Sequence, residues 1–152
     1  NLVRVIENGS LALFALVTSR MHMAWLRLIG GRLESRYRYS IGLVYNPFPW
    51  PNLTPEQQNR LSNLADHILS VRKKFSGSTM ADLYDASAMP VELRKGHQVL
   101  DTAVDKVFRK EPFESDRERV EFLFALYEKQ HAPVVAASQP KKPRKRPRAL
   151  VR

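Results

Sequence analysis

The chain of 152 residues contains no cysteine, and this absence excludes two kinds of site. There is no disulfide framework, and no metal site can be built on thiolates. Long apolar runs are also missing, because the longest, residues 11–17, falls well short of the ~20 residues that a membrane-spanning helix needs. Apolar residues still make up 43% of the chain. The sequence therefore predicts one ordinary domain, or a domain with a tail. It begins with asparagine and shows no signal-peptide pattern, which favours a piece of a longer product.

The net charge of +10 is concentrated in two segments. Residues 140–152 contain seven basic residues and no acid, with three interspersed prolines. This composition predicts a disordered tail that can neutralise phosphates, while a solubilising tail and a nuclear-import signal remain alternatives. The second segment, residues 20–38, contains one acid, Glu34. Its five bases are all arginines, namely Arg20, Arg27, Arg32, Arg36 and Arg38. Guanidinium groups suit phosphate oxygens and the guanine edge, although a solvated face has the same composition.

The first 50 residues predict a strand, a helix and a second strand. The apolar run 11–17 fits a buried strand, although a run this short is also compatible with a helix. Helical spacing from Met21 to Gly30 predicts the helix, and alternation from Tyr37 to Tyr45 predicts the second strand. Three prolines within residues 46–51 predict a rigid, extended connector.

The remainder predicts helices. Thr54-Pro55-Glu56-Gln57 is a capping box with proline at the first helical position, a short helix is expected at 79–85, and further helices follow Pro90 and Ser115. Amphipathic helices with short links pack as a bundle. The expected fold class is thus α+β, mainly α. Residues 1–50 form one part, residues 51–132 form a small helical domain, and residues 133–152 form a disordered basic tail.

No complete active site is visible in the sequence. Asn46-Pro47-Phe48-Pro49 imitates an amino-methyltransferase motif, but its aromatic residue comes one place early and no Gly-rich turn precedes it, so we interpret it as a structural turn. The four histidines lack metal-binding spacing. Asp101 and Asp105 lie one helical turn apart, and we expect a solvated face or a salt bridge to Lys106 or Arg109 rather than a metal site. No catalytic, cofactor-binding or metal-binding residue is assigned.

Several longer motifs follow one another along the chain, and their order is informative. They are Thr18–Trp25, Gly31–Leu33, Tyr37–Ser40, Tyr45–Pro51, Ala81–Asp85, Met89–Arg94, His97–Asp101 and Arg119–Phe124. Over about residues 11–130 they resemble the carboxy-terminal end of MmeI-like DNA methyltransferases. These are single-chain restriction–modification enzymes that modify adenine at N6, with relatives in other bacterial phage-defence systems.

The resemblance implies that residues 1–50 are the last part of a target-recognition domain and that 54–130 are the helical carboxy-terminal domain. In the family an endonuclease and a methyltransferase domain precede them. The parent's cofactor would be S-adenosylmethionine, bound outside this chain. The expected partners are double-stranded DNA and those amino-terminal domains, in the bacterial cytoplasm and without a membrane.

The resemblance also implies which residues contact DNA. Glu34 and Arg36 would read one base pair, because Glu accepts from N4 of cytosine and Arg donates to O6 and N7 of guanine. They would prefer a C·G pair in one orientation, and a Lys/Asp pair at the same places would reverse it. Arg20, Arg32 and Arg38 would contact phosphates.

Two alternatives stay open. Glu34 and Arg36 can also form a solvent-exposed ion pair that reads nothing. The whole chain can also be a small non-enzymatic helical protein that binds nucleic acid without sequence preference through its basic tail.

Overall fold

The computed structural model describes residues 5–33 and 36–138, with the backbone alone for residue 33 and residues 133–138. Helices dominate this part of the chain and a two-stranded antiparallel sheet accompanies them, which confirms the predicted mainly helical α+β class. The elements are α1 (Leu11–Thr18), α2 (Arg20–Ile29), β1 (Gly31–Leu33), β2 (Arg36–Arg38), a π-helical turn (Ile41–Tyr45), α3 (Pro55–Lys73), α4 (Met80–Leu83), α5 (Val91–Phe108) and α6 (Asp116–Ser138).

The apolar run 11–17 is a helix, so the predicted strand is wrong. Ser10 caps α1, since its hydroxyl accepts a hydrogen bond from the amide of Leu13 at 3.1 Å. Alanine and leucine favour helix over strand. Ala12, Ala15 and Leu16 are buried. A helix that is apolar all round is typical of a buried position, and for a run this short the hydrophobic pattern does not separate the two structures.

The second predicted strand is correct only at its start. β2 ends at Arg38, and Ser40 then caps the π-helical turn, where the alternating pattern had predicted strand up to Tyr45. Ile41 and Leu43 are exposed, whereas Val44 is fully buried. The turn is held to α2 because the indole nitrogen of Trp25 donates to the carbonyl of Val44 at 3.1 Å.

The connector after the turn packs against α2. It forms neither helix nor strand up to Thr54, as its prolines predicted. Phe48 is only 3% exposed and lies in edge contact with the rings of His22 and Trp25. The Asn46–Pro49 segment therefore contributes to the hydrophobic core.

The three long helices begin near their predicted starts, and their apolar stripes are as predicted. Thr54 and Gln57 form the predicted capping box of α3, with Pro55 at its first position. The stripe of each helix faces a common core, with Leu61, Ile68, Leu93, Leu100, Val104 and Leu123 almost fully buried. The predicted bundle is therefore present. No helix in the described ranges is long and apolar enough to cross a membrane.

The first 50 residues share this core with the bundle. α1 packs on α3, which packs on α5, while α2 packs on α6. The backbone of α6 continues to Ser138, past residue 133, where the sequence predicted the tail to begin. The rest of the predicted basic tail, residues 139–152, lies outside the described residues.

Candidate nucleic-acid interface

A short two-stranded ribbon projects from the end of α2. We call β1 and β2 together the basic ribbon. Its strands are antiparallel, with Gly31 paired to Arg38, Arg32 to Tyr37 and Leu33 to Arg36. All its residues whose exposure is described, Gly31, Arg32 and 36–38, are exposed. The ribbon therefore presents arginine side chains to solvent.

The register separates these arginines onto two faces. Side chains of paired residues share a face and successive residues alternate, so Arg36 and Arg38 point to one face and Arg32 and Tyr37 to the other. The guanidinium of Arg32 lies over the Tyr37 ring, 5.1 Å from its centroid. Glu34, the predicted partner of Arg36, lies outside the described residues. The structure thus brings Arg36 and Arg38 together and directs Arg32 away from them.

The ribbon joins the helical body at two points. At its start, the amide of Gly30 donates to the carbonyl of Leu26 at 2.8 Å, and a side chain at Gly30 would overlap that carbonyl. At its end, the hydroxyl of Tyr39 is hydrogen-bonded to Nε2 of His22 at 2.8 Å. A glycine close to the helix backbone and a partly buried hydrogen bond therefore fix the two ends.

His22 lies in an aromatic surrounding. It is 1% exposed, and Phe48 and Trp50 lie at 4.6 Å and 5.7 Å between ring centroids. Burial lowers the pKa of His22 to about 4. Burial, with a smaller contribution from Tyr45, raises the pKa of Tyr39 to about 12. The hydrogen bond therefore joins two neutral groups at neutral pH.

Arg20, a predicted phosphate contact, lies at the opposite end of α2 from the ribbon, about 14 Å along the helix axis from Ile29. Its Nε donates to Asp116 at 2.6 Å, and its side chain is 52% exposed. Arg27 also donates to Asp116, at 2.8 Å. Arg20 is thus already paired with an acid, whereas Arg36 and Arg38 are exposed on the ribbon.

The amino terminus of α2 also binds the carboxylate of Asp101 from α5. The backbone amide of Arg20 donates to Asp101 at 2.7 Å, where the partial positive charge of the helix end favours an anion. Burial nevertheless raises the pKa of Asp101. α5 and α6 therefore both supply acids to this end of α2.

The salt bridge predicted for Asp105 exists with another partner. Asp105 accepts two hydrogen bonds from Arg119, at 3.1 Å and 2.5 Å, rather than pairing with Lys106 or Arg109. Both residues are buried. Within the described ranges no cluster of three or more His, Asp or Glu side chains is arranged to hold a metal ion. The pair therefore has a structural role between α5 and α6.

Sequence reasoning missed Arg27, Asp116, and the pairing of His22 with Tyr39. A local signal existed only for Arg27, which lies seven residues after Arg20 and so on the same side of a helix. The spacing of Arg20 and Arg27 indicates a shared partner. It does not identify Asp116, which lies 96 residues after Arg20.

Comparison with known proteins matches both parts of the chain. Residues 1–52 match the family model described as the MmeI target recognition domain, and residues 53–135 match that of the MmeI C-terminal domain. The chain is also similar to DNA methyltransferase A of Bacillus subtilis (strain 168), at 43% identity over 128 residues, or 84% of this chain and 14% of that protein.

A solved structure agrees with this match. The described fold is similar to that of the type IIL restriction–modification enzyme MmeI in complex with DNA, with a TM-score of 0.79 and 42% identity. The match covers 82% of this chain and 17% of that one, so the chain spans less than a fifth of either relative's length. Because the C-terminal domain model alone covers more than half of its residues, the chain belongs to the MmeI family.

Proposed function

We propose that this chain is the DNA target-recognition and carboxy-terminal portion of a site-specific adenine-N6 DNA methyltransferase of a restriction–modification or phage-defence system. Residues 1–50 belong to the recognition part and residues 51–132 to the carboxy-terminal domain. The observation that carries the proposal is the exposed basic ribbon, which lies within the segment that matches the target recognition domain. The whole enzyme acts on double-stranded DNA in the bacterial cytoplasm.

The dimensions of the ribbon suit this role. The major groove of B-DNA is about 12 Å wide and admits a two-stranded β-ribbon. Arg36 and Arg38 share a face and are about 6.7 Å apart along the strand, which corresponds to about two base-pair steps. One face of the ribbon can therefore place one arginine at a base edge and the other at a phosphate.

We assign base reading to Arg36 with Glu34, and phosphate contacts to Arg38, Arg32 and Arg20. Arg36 donates to O6 and N7 of guanine while Glu34 accepts from N4 of the paired cytosine. Arg32 lies on the other face, where it reaches only a phosphate at the groove edge. Arg20 contacts a phosphate only after its bond to Asp116 is exchanged.

S-adenosylmethionine serves the whole enzyme as methyl donor. The sequence has no Gly-rich strand–turn–helix to hold it, so the methyl-transfer chemistry belongs to other parts of the enzyme. This chain contributes binding and orientation. The target adenine is flipped out of the duplex, and the ribbon holds the DNA from the groove.

Selection from a pool of random duplex DNA tests the recognition part. The purified chain is incubated with the pool, retained duplexes are sequenced, and the experiment is repeated with Arg36→Ala and with residues 140–152 deleted. We expect a fixed C·G pair among the retained duplexes, lost in Arg36→Ala and kept after the deletion. Arg117→Ala is the matched control, because it also removes one exposed arginine, from α6 and outside the segment that matches the target recognition domain.

Two results would contradict the proposal. Binding that enriches no sequence and disappears with residues 140–152 would establish the alternative, a helical protein that binds nucleic acid through its basic tail. A chain that binds no duplex would contradict recognition by this segment.

An exchange of side chains tests the base assignment. Replacing Glu34 by Lys and Arg36 by Asp reverses the donor and acceptor pattern, so the enriched pair is expected to change from C·G to G·C. One good bidentate contact discriminates by about 1–3 kcal/mol, which is large enough to dominate the selected position. An unchanged selected sequence would contradict the assignment.

The methyltransferase part is tested by the complete coding sequence. We expect an in-frame region upstream of Asn1 that encodes a Gly-rich strand–turn–helix and an Asn-Pro-Pro-aromatic motif. An upstream frame without either motif would remove methyl transfer from the proposal and leave DNA binding.

A further inference from the structure

The basic ribbon depends on its two ends for its orientation. Its described side chains are exposed, and among the described elements its strands pair mainly with each other. The first end is the α2–Gly30 junction, which is held by the hydrogen bond from the Gly30 amide to the carbonyl of Leu26. The second end is Tyr39, the residue directly after β2 and three residues after Arg36. A fixed direction for the ribbon therefore requires that Tyr39 be held.

His22 supplies that hold from within α2. Its Nε2 is 2.8 Å from the Tyr39 hydroxyl, and the two rings lie 5.7 Å apart. Nδ1 of the same imidazole is buried and has no hydrogen-bond partner among the described residues. Within the described part of the chain, the hydrogen bond of the His22 ring is thus directed at Tyr39.

A histidine is an unfavourable choice for this position on packing grounds alone. Burying a polar nitrogen without a partner costs free energy, and a phenylalanine beside the Phe48 and Trp50 rings would carry no such nitrogen. The imidazole brings one thing that a phenylalanine lacks, a directional bond to Tyr39. The geometry therefore indicates a role in orientation in addition to core packing.

We propose that His22 and Tyr39 are positioning residues that set the angle at which the ribbon presents Arg36 to a base pair. His22 is buried and Tyr39 is only partly exposed, so their role is to hold the ribbon and not to contact a base. The proposal rests on the proposed function, because it concerns how the same ribbon discriminates between sequences. It adds a determinant of specificity that lies in the core behind the reading surface.

The first test uses no DNA. Amide hydrogen exchange is measured on the full chain as wild type, Tyr39→Phe, and the double variant His22→Phe with Tyr39→Phe. We expect faster exchange at the paired amides of the ribbon in both variants and unchanged exchange in α5. Tyr127→Phe is the matched control, since it also removes one phenolic hydroxyl, from a ring that stacks on His131 in α6.

The second test measures discrimination. Affinities are compared for the selected duplex and for the same duplex with the C·G pair reversed. We expect the ratio to fall at least about threefold in Tyr39→Phe and in the double variant, because bidentate hydrogen bonds depend steeply on geometry. The affinity for a duplex of unrelated sequence should stay within about twofold. That affinity depends on how many phosphates the basic side chains neutralise, and much less on the angle of the ribbon.

The double variant separates positioning from stability. Replacing both hydrogen-bonding partners by apolar groups of similar shape is nearly neutral for folding, so its midpoint of urea unfolding should match wild type. A purely structural role predicts a lower midpoint and an equal loss of affinity for every duplex, and that result would overturn the proposal. Unchanged ribbon exchange together with an unchanged ratio would overturn it as well.

Different results would contradict the positioning role and the proposed function. If the wild-type chain prefers the C·G pair and the Tyr39 variants keep the same ratio, only the positioning role is lost. If the wild-type chain shows no preference, the proposed function is lost, and the positioning role falls with it whatever the exchange data show.

Discussion

The side chain of Arg20 donates a hydrogen bond to Asp116 at 2.6 Å, although 96 residues separate them. Arg20 lies in the segment that matches the target recognition domain, and Asp116 in the segment that matches the C-terminal domain. Arg27 donates to the other oxygen of the same carboxylate at 2.8 Å. Together with the packing of α2 on α6, this makes the two family segments one physical unit in the described structure.

The first prediction concerns this shared carboxylate. Asp116→Ala releases both arginines, so we expect tighter binding to duplex DNA of any sequence at low salt. If both then reach phosphates, the slope of log affinity against log salt steepens by up to about two. Binding titrations at roughly 50 to 200 mM salt measure the slope. Glu121→Ala removes one exposed carboxylate from the same helix and is the charge-matched control. Equal slopes in the two variants would contradict the prediction.

The second prediction concerns the buried ion pair between α5 and α6. Arg119 is 4% exposed and donates twice to Asp105, so Arg119→Ala leaves a buried carboxylate without its cation. We expect the free energy of unfolding to fall by about 3–5 kcal/mol. Arg117→Ala, two residues earlier, removes an exposed partner of Glu121 and should leave the unfolding free energy nearly unchanged. Urea unfolding measures both, and similar losses would show that the pair at Arg119 contributes little.

The third prediction concerns the junction between α2 and the ribbon. A Cβ at Gly30 would overlap the carbonyl oxygen of Leu26 and lie 2.7 Å from its Cδ1, whereas one at Gly31 meets no atom within 4 Å. Gly30→Ala therefore displaces the helix end, and we expect a loss of about 1–3 kcal/mol in unfolding free energy. Gly31→Ala should stay within about 0.5 kcal/mol of wild type. Thermal or urea unfolding of both variants decides this, and equal stabilities would contradict it.

Features of the fold that depend on residues close together in the sequence could be predicted from it. The cap of α3 involves Thr54 and Gln57, three residues apart, and it could be read from the sequence because both partners lie in one turn. The start of the second strand, at Tyr37, could likewise be predicted from the alternation of neighbouring residues. Local spacing therefore carried the predictions that the structure confirms.

The rest depended on contacts between distant residues or on packing. The run 11–17 became a helix because Ser10 caps it and because α3 packs on it, and its apolar pattern contains neither fact. His22 and Tyr39 are 17 residues apart, and Arg20 and Asp116 are 96 apart, so no motif joins them. A sequence pattern identifies candidate arginines, but their partners decide which remain free for DNA.

The last prediction concerns the pH dependence of stability. Burial lowers the pKa of His22 to about 4 in the folded chain, from 6.5 when the side chain is solvated. Between these values the unfolded chain binds a proton at His22 and the folded chain does not. The free energy of unfolding therefore falls as the pH is lowered from about 6.5 to about 4, by on the order of 3 kcal/mol from this residue. Above pH 6.5 the contribution of His22 is constant.

Urea unfolding at several pH values between 7 and 4 checks this, with His22→Phe as the comparison. Burial also lowers the pKa of His97, and carboxylates titrate at the lower end of this range, so the wild-type slope alone is a sum. The difference between the wild-type and His22→Phe curves isolates the buried imidazole. Tyr39→Phe keeps that imidazole buried and should keep the wild-type slope. Parallel curves for wild type and His22→Phe would show that His22 titrates alike in the folded and unfolded chain, contrary to its burial.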